Sequence, residues 1–167
     1  MLIRDALLPE FDRETAITRR LLERIPDGKL SFKPHPKSMD MASLATHICE
    51  LIDWTPETIG KDSIDLAGFD PSQRKIVASR AELLEKFDKS VAKARAALAT
   101  AEDAQLMQPW SLKSGEKVFF TMPKVAVLRT FVFNHSVHHR GQLSVYLRLN
   151  DIPVPAMYGP SADEQNF

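Results

Sequence analysis

The chain has a single cysteine, Cys49, among its 167 residues. No intramolecular disulfide can form, and nothing in the sequence calls for an oxidising compartment. Charge of one sign is also missing as a surplus, since 22 lysines and arginines stand against 22 aspartates and glutamates. Without a global positive field to gather phosphates, nucleic acid is a poor main partner. No apolar run approaches the roughly 18 residues of a membrane span. The start, MLIRDALLPEFDRE, carries charges where a secretory signal needs an apolar stretch, and it lacks the Arg-rich, acid-poor look of a transit peptide. These absences predict a cytoplasmic protein with no membrane partner. No internal repeat of about 20 to 50 residues is present either, which excludes solenoids and propellers.

What is present is an ordinary globular composition, 44% hydrophobic and 26% charged, at a length that suits one domain over residues 1–167. Apolar spacing predicts four helices. Residues 2–25 place Phe11, Ile17 or Thr18, Leu21, Leu22 and Ile25 on one face, with Pro9 suited to a first turn. The proline-rich segment PDGKLSFKPHPKS then reads as a loop. A second helix starts near Ser38 or Asp40 and runs to about Trp54. Residues 55–78 carry Pro56, Gly60, Gly68 and Pro71 and read as a long connection, of the kind that permits a crossover.

Ser79-Arg80-Ala81-Glu82 has capping-box spacing and opens a third helix, whose stripe is Leu84, Phe87, Val91, Ala94 and Leu98. Between Thr100 and Met122 the pattern allows a short hairpin turned at Ser114-Gly115, with Trp110, Val118, Phe119 and Phe120 covering the bundle. Pro123 opens a fourth helix that runs to about Asn150, and the tail VPAMYGPSADEQNF is expected to be irregular. The fold class expected is all-α, a four-helix bundle.

Chemistry concentrates in the fourth helix, in NHSVHHRGQLSVYLRLN. At about 100° per residue, His135 and His139 lie one turn apart and within about 40° of each other. Leu128, Phe131, Val132, Gln142, Leu143 and Tyr146 share that side, so two imidazoles face the buried stripe and could reach one ion. His138 lies about 60° from His135 the other way, and spacing alone favours His139 over it only mildly. Ser136, Val137 and His138 separate the pair, so there is no His-Glu-x-x-His and a metalloprotease reading lacks its base.

A third ligand has to come from another helix, where His47 borders the buried face; the bland alternative is a core-edge histidine bonded to a carbonyl. His35, between two prolines, is expected to be exposed. Cys49 is about 200° around the helix from His47 and is expected to be a buried, inert thiol. Gly141 costs its helix about 1 kcal/mol against alanine, which suggests a close approach to its backbone. Arg140 and Gln142 flank the site and could orient ligands or bind an anionic substrate, with a surface ion pair and a core-edge amide as their ordinary roles.

With His47, His135 and the run His138-His139-Arg140-Gly141-Gln142 in place, the sequence resembles the DinB family of bacterial DNA-damage-inducible-like four-helix proteins. The similarity runs from LLPEFDRETAITRRLLERIP through KPHPKSM, LATHICEL and SRAELLEKFD to NHSVHHRGQLSVYLRLNDIPVPAMYGPSADE. Residue by residue, the resemblance implies a metal triad of His47, His135 and His139. It also implies a divalent ion, zinc or nickel most often, and frequently a homodimer. Relatives in that superfamily include thiol-dependent S-transferases and a mycothiol-dependent isomerase, while others look like metal-dependent hydrolases.

Three neutral imidazoles leave an ion's charge uncompensated and coordination positions open, as in catalytic sites. The first expectation is therefore a thiol-dependent S-transferase acting on a small molecule, with a low-molecular-weight thiol as cosubstrate. The second is a hydrolase using a metal-bound hydroxide, its proton carrier unassigned among Glu50, His138 and a tail carboxylate. The third is a non-catalytic, metal-stapled dimeric stress or interaction protein.

Overall fold

The structure, a computed structural model, describes residues 1–165. Asn166 and Phe167, the end of the tail expected to be irregular, lie outside the described residues. Helix α1 (Ile3–Leu22) contains Pro9 rather than starting at it. Its first donors are capped instead: Asp5 Oδ2 accepts from the Leu2 N–H at 3.0 Å, and Asp103 Oδ1 from the Ile3 N–H at 2.8 Å. With the end fixed by caps, Pro9 deprives the helix of one donor, the partner of the Asp5 carbonyl.

Helix α2 (Met41–Gly60) is capped by Asp40, whose Oδ1 accepts from the Ser43 N–H at 2.7 Å. It continues past Trp54 and through Pro56, where the sequence pattern predicts a loop. Tertiary contacts hold this last turn. Thr55, Thr58 and Ile59 are buried, and the Ile59 carbonyl accepts from Lys124 Nζ at 3.0 Å and Gln105 Nε2 at 3.1 Å. Lys124 is itself buried and pairs with Asp62 at 3.0 Å, which puts a cation at the negative end of the α2 dipole.

The long connection is thereby reduced to residues 61–79, and it includes β1 (Ser63–Asp65). Helix α3 (Arg80–Thr100) starts at Ser79, whose Oγ accepts from the Glu82 N–H at 3.1 Å. The returning bond is displaced by one residue, Glu82 Oε2 accepting from the Ala78 N–H at 2.8 Å. Its buried line is Leu83, Phe87, Ser90, Ala94 and Leu98, with Leu84 and Val91 at the margin. Because α3 packs on both α1 and α2, the line is centred between its neighbours rather than on the ridge through Leu84 and Val91.

After the short helix α4 (Asp103–Leu106), strands β2 (Pro109–Ser114) and β3 (Lys117–Pro123) form the expected hairpin. Its turn is Gly115-Glu116, one residue on from the expected Ser114-Gly115 because Ser114 pairs with Lys117. Gly115 takes φ +59°, a conformation that two-residue hairpin loops demand and glycine adopts freely. A register shift after Leu112 pairs Lys113 with Val118 and leaves Phe119 without an opposite residue. Trp110 is fully buried as expected, but Val118 and Phe119 are exposed, because the bulge turns them away from the bundle.

Strand β1 pairs in parallel with β2, giving the order β1-β2-β3. The last rod is continuous: α5 (Lys124–Val127), a π-helical stretch Leu128–Asn134, and α6 (His135–Arg148). The all-α expectation is therefore corrected. Counting that rod once, the described residues form five α-helices and a three-stranded sheet. β1 escapes sequence reading because three residues carry no useful alternation, and only pairing with β2 makes them a strand.

The core lies where α1, α2, α3 and α6 meet, around Phe11, Leu22, Leu44, Ile48, Leu83, Phe87 and Leu143. The tail is irregular yet docked: Asp163 Oδ2 accepts from the Val154 N–H at 2.9 Å, and Glu164 Oε2 from the Ala156 N–H at 3.0 Å. No helix among the described residues is long and apolar enough to cross a membrane.

Gly141 is not closely approached. It lies on the exposed face of α6, and a Cβ there meets nothing within 4 Å. Gly141→Ala is therefore expected to stabilise the protein by up to about 1 kcal/mol through helix propensity alone. Urea unfolding checks this, and a loss of stability would mean that something covers this face.

Candidate metal centre

His47 comes from the middle of α2, a helix pinned by Leu44, Ala45 and Ile48 in the core. His135 is the first residue of α6, directly after the π-helical stretch, and His139 follows one turn on. The widened turns of a π segment re-aim the side chains that follow and recur at functional sites. Here α2 and α6 pack together, and His47, His135 and His139 each offer a ligand atom within 4.8 Å of the others. His139 Nε2 and His135 Nε2 are 2.8 Å apart. The His47 ring lies 5.3 Å from that of His135 and 4.8 Å from that of His139, centroid to centroid.

Electrostatics favours neutral rings. Burial is the main cause depressing His135, helped by His47 and His138. Burial also outweighs the contact with Gln142 and, with the neighbouring histidines, pushes His139 down to about 4. Unprotonated imidazoles are what a metal requires.

Each end of the group is held from outside. Gln142 Oε1 lies 2.7 Å from His139 Nδ1; with Nδ1–H donating to it, Nε2 is left free to face His135. Glu50 Oε2 lies 3.6 Å from His47 Nδ1, and Arg74 Nε donates to both Glu50 oxygens at 2.8 and 2.9 Å. Burial opposes ionisation of Glu50, but His47 and Arg74 outweigh it and hold its carboxyl below the usual range.

Glu50 was visible in the sequence, three residues after His47. Arg74 was not, because it arrives from the connection 24 residues on and has no local signal.

The remaining candidates fall elsewhere. His138 is exposed and outside the three-histidine group. His35 is exposed as well, its Nδ1 accepting from the Lys37 N–H at 3.2 Å. Cys49 is fully buried with its sulfur 4.0 Å from the Leu83 carbonyl, and desolvation pushes its thiol up to about 12. Gln142 is exposed rather than part of the buried stripe.

Arg140 is neither at the site nor on the surface. It is buried against α1, donating to the Glu14 carbonyl at 2.9 Å and to Thr18 Oγ1 at 3.0 Å. The tail carboxylates Asp163 and Glu164 are engaged with Arg148 and Arg24. His47 and His135 open onto a cavity of about 830 Å³ walled by α2, the π stretch and residues 61–74.

A match to the family model described as "DinB family" covers residues 3–166. The chain belongs to the DinB family. Among its relatives is the protein YrdA of Bacillus subtilis (strain 168), 25% identical over 161 residues that cover 96% of this chain and 90% of that one. Two solved structures share the DinB fold. A DinB-like protein from Bacillus cereus superposes with a TM-score of 0.72 at 24% identity, covering 92% of this chain and 97% of its own. The DinB-like protein YjoA from Bacillus subtilis gives 0.71 at 21%, covering 97% and 99%.

The histidines of this DinB chain fit a metal ion. Two nitrogens bound cis to one ion at about 2.0–2.1 Å stand roughly 3 Å apart, close to the 2.8 Å between the two Nε2 atoms. The three donors are imidazoles with no carboxylate among them, a set that suits borderline ions better than magnesium or calcium.

The outer contacts lead to a prediction. Glu50→Gln and Arg74→Ala are each expected to weaken metal affinity about 10- to 100-fold without abolishing it, because His47 loses the support that orients its ring. Competition with a chromophoric chelator measures this. Unchanged affinity in both variants would mean that the Arg74–Glu50 pair serves only to tie down the connection.

Proposed function

We propose that this DinB protein is a divalent-metal-dependent enzyme, with His47, His135 and His139 holding zinc or nickel, that transfers a low-molecular-weight thiol to an electrophilic small molecule. The observation that carries the reading is the convergence of three imidazoles, two of them held neutral, at the end of an open cavity. A divalent ion bound there supplies charge that stabilises the anion of a thiol or of water at neutral pH.

The chain's own residues do the rest. His139, buried and tied to Gln142, forms the back of the site, and His47 is set by Glu50 and Arg74. Leu51, Trp54 and Phe131 wall the cavity beside them and would shield one side of a bound thiol from water.

The choice of thiol over water rests on Glu50. A hydrolase needs a carrier for the proton that water gives up and the leaving group takes. The carboxylate beside the histidines is fastened by Arg74 and held below the usual range, so it is a weak base. His138 is exposed, and the tail carboxylates are engaged elsewhere. Thiol ionisation asks for less, because a thiol near pKa 8.5 lies far below water.

The test is metal-dependent loss of free thiol in the presence of an electrophile, across several thiols. Ester or amide hydrolysis without thiol would favour the water reading. No turnover of either kind, with a melting temperature that collapses on chelation, would leave a metal-stapled structural protein. The proposal includes a homodimer, which mass in solution checks.

A further inference from the structure

The cavity beside the histidines is long in one direction. His47, Glu50, Leu51, Trp54 and Glu57 follow one another along a single ridge of α2, and all five line it. At about 1.5 Å per residue this ridge extends roughly 15 Å, and its chemistry changes along the way. One end holds His47 and His135. The middle is apolar, with Leu51 and Trp54 from α2, Phe131 from the π stretch, and Leu66 and Phe69 from the connection. Phe131 is fixed there by stacking on Phe120, with ring centroids 4.8 Å apart and planes 4° apart. Trp54 lies 6.3 Å from Phe131 at 29°, so the wall offers flat, pre-set faces.

Toward the other end the α2 wall turns acidic: Glu57 closes the ridge, and Asp53 lies one turn before it. Of the cavity's four carboxylates, Glu50 is taken by Arg74, while Asp65 is held by Lys113 at 3.6 Å and by the N–H groups of Ala67 and Gly115. Glu57, half-buried, pairs with the largely exposed Lys61 at 2.5 Å, so that pair competes weakly with a ligand. Asp53 has no ion-pair partner within 4 Å among the described residues. It also borders a smaller depression lined by Lys75, Lys86, Lys89 and Lys93 together with Glu82 and Glu85, but among the described residues Arg74 is the one arginine or lysine lining the main cavity.

We infer that the electrophilic substrate is an elongated molecule with a flat apolar body and a cationic amine at the end remote from its reacting group. The body lies along Leu51, Trp54 and Phe131 under Phe69, and the amine meets Asp53 and Glu57. Carboxylate-bearing aromatics are disfavoured at the acidic end. This rests on the proposal above in taking the histidine end as the reacting end, but recognition by the walls does not need the ion.

The experiment uses simple probes and intrinsic fluorescence. Of the two tryptophans, Trp110 is fully buried and Trp54 lines the cavity, so quenching reports on Trp54. 1-Naphthylmethylamine, 1-naphthol and 1-naphthoate are titrated into the purified protein before and after chelation. The amine is expected to saturate in both states and to bind at least about tenfold tighter than the carboxylate after chelation. Asp53→Asn is expected to remove most of the preference of the amine over naphthol. Phe69→Ala, a change at a largely exposed residue, is expected to weaken all three.

Absence of saturation, naphthoate binding as tightly as the amine after chelation, or affinities unmoved by Phe69→Ala would each overturn the inference. Metal stoichiometry is measured separately, so failure of the histidine site and failure of this ligand class give different results.

Discussion

His47→Ala, His135→Ala and His139→Ala are each expected to purify with little or no divalent ion, whereas wild type and His138→Ala are expected to carry about one per chain. The expectation follows from geometry. Removing any of the three leaves two imidazoles from a donor set whose members lie within 4.8 Å of one another. Two neutral nitrogens without a carboxylate hold zinc or nickel far more weakly than three, because each lost donor must be replaced by water. His138 is the discriminating control. It neighbours His139, with ring centroids 4.9 Å apart, yet it is exposed and outside the group.

Elemental analysis of untagged protein by mass spectrometry measures the outcome. Loss of the ion in His138→Ala, or its retention in any one of the other three, would break the triad. If wild type binds no zinc, nickel, iron, copper or manganese even after reconstitution, the histidines are structural and the enzymatic proposal falls with them.

Arg140→Ala is expected to cost about 3–5 kcal/mol, a large share of the roughly 5–15 kcal/mol that holds a domain together. Arg140 is 1% exposed and ties three parts of the chain at once. From α6 it donates to the Glu14 carbonyl, Thr18 Oγ1 and the Glu14 carboxylate on α1, and it contacts the Tyr158 hydroxyl in the tail. Tyr158 in turn donates to Glu14 Oε2 at 2.6 Å, and burial together with that bond pushes its phenol up to about 12.

Truncating Arg140 leaves the Glu14 carboxylate, 18% exposed, without its cation, and the cost comes mainly from that stranded charge. Arg140→Met combined with Glu14→Gln is therefore expected to be less destabilised than Arg140→Ala alone. Urea unfolding of the variants decides it; a loss below about 1 kcal/mol for Arg140→Ala would place this cluster with ordinary surface pairs.

Arg140 also shows where sequence reasoning stops. An arginine beside two histidines invites a role at the site or on the surface, and helix periodicity gives no warning that α1 presents Glu14 and Thr18 to it from more than 120 residues away. The same holds for Lys124 at the end of α2 and for Arg74 on Glu50. Pro56 reads as a helix breaker, yet buried Thr55, Thr58 and Ile59 carry the helix through it. In each case a local preference of a few kcal/mol or less is overruled by contacts that local pattern does not encode.

The sequence by itself determined the four long helices, the cap at Ser79, a second cap at either Ser38 or Asp40, a hairpin turned next to Gly115, and the face that carries His135 and His139. These follow from periodicity, capping chemistry and backbone preference, all of which act within a few residues. Family resemblance singled out His139 over His138, a choice that spacing left nearly open. The resemblance also implied His47 as the third member, but only the tertiary structure gave the 4.8 Å reach among the three, set Arg74 on the carboxylate beside His47, and completed a sheet by pairing β1 with the hairpin. Those features depend on which faces of distant segments meet when the core closes, and packing in three dimensions sets that.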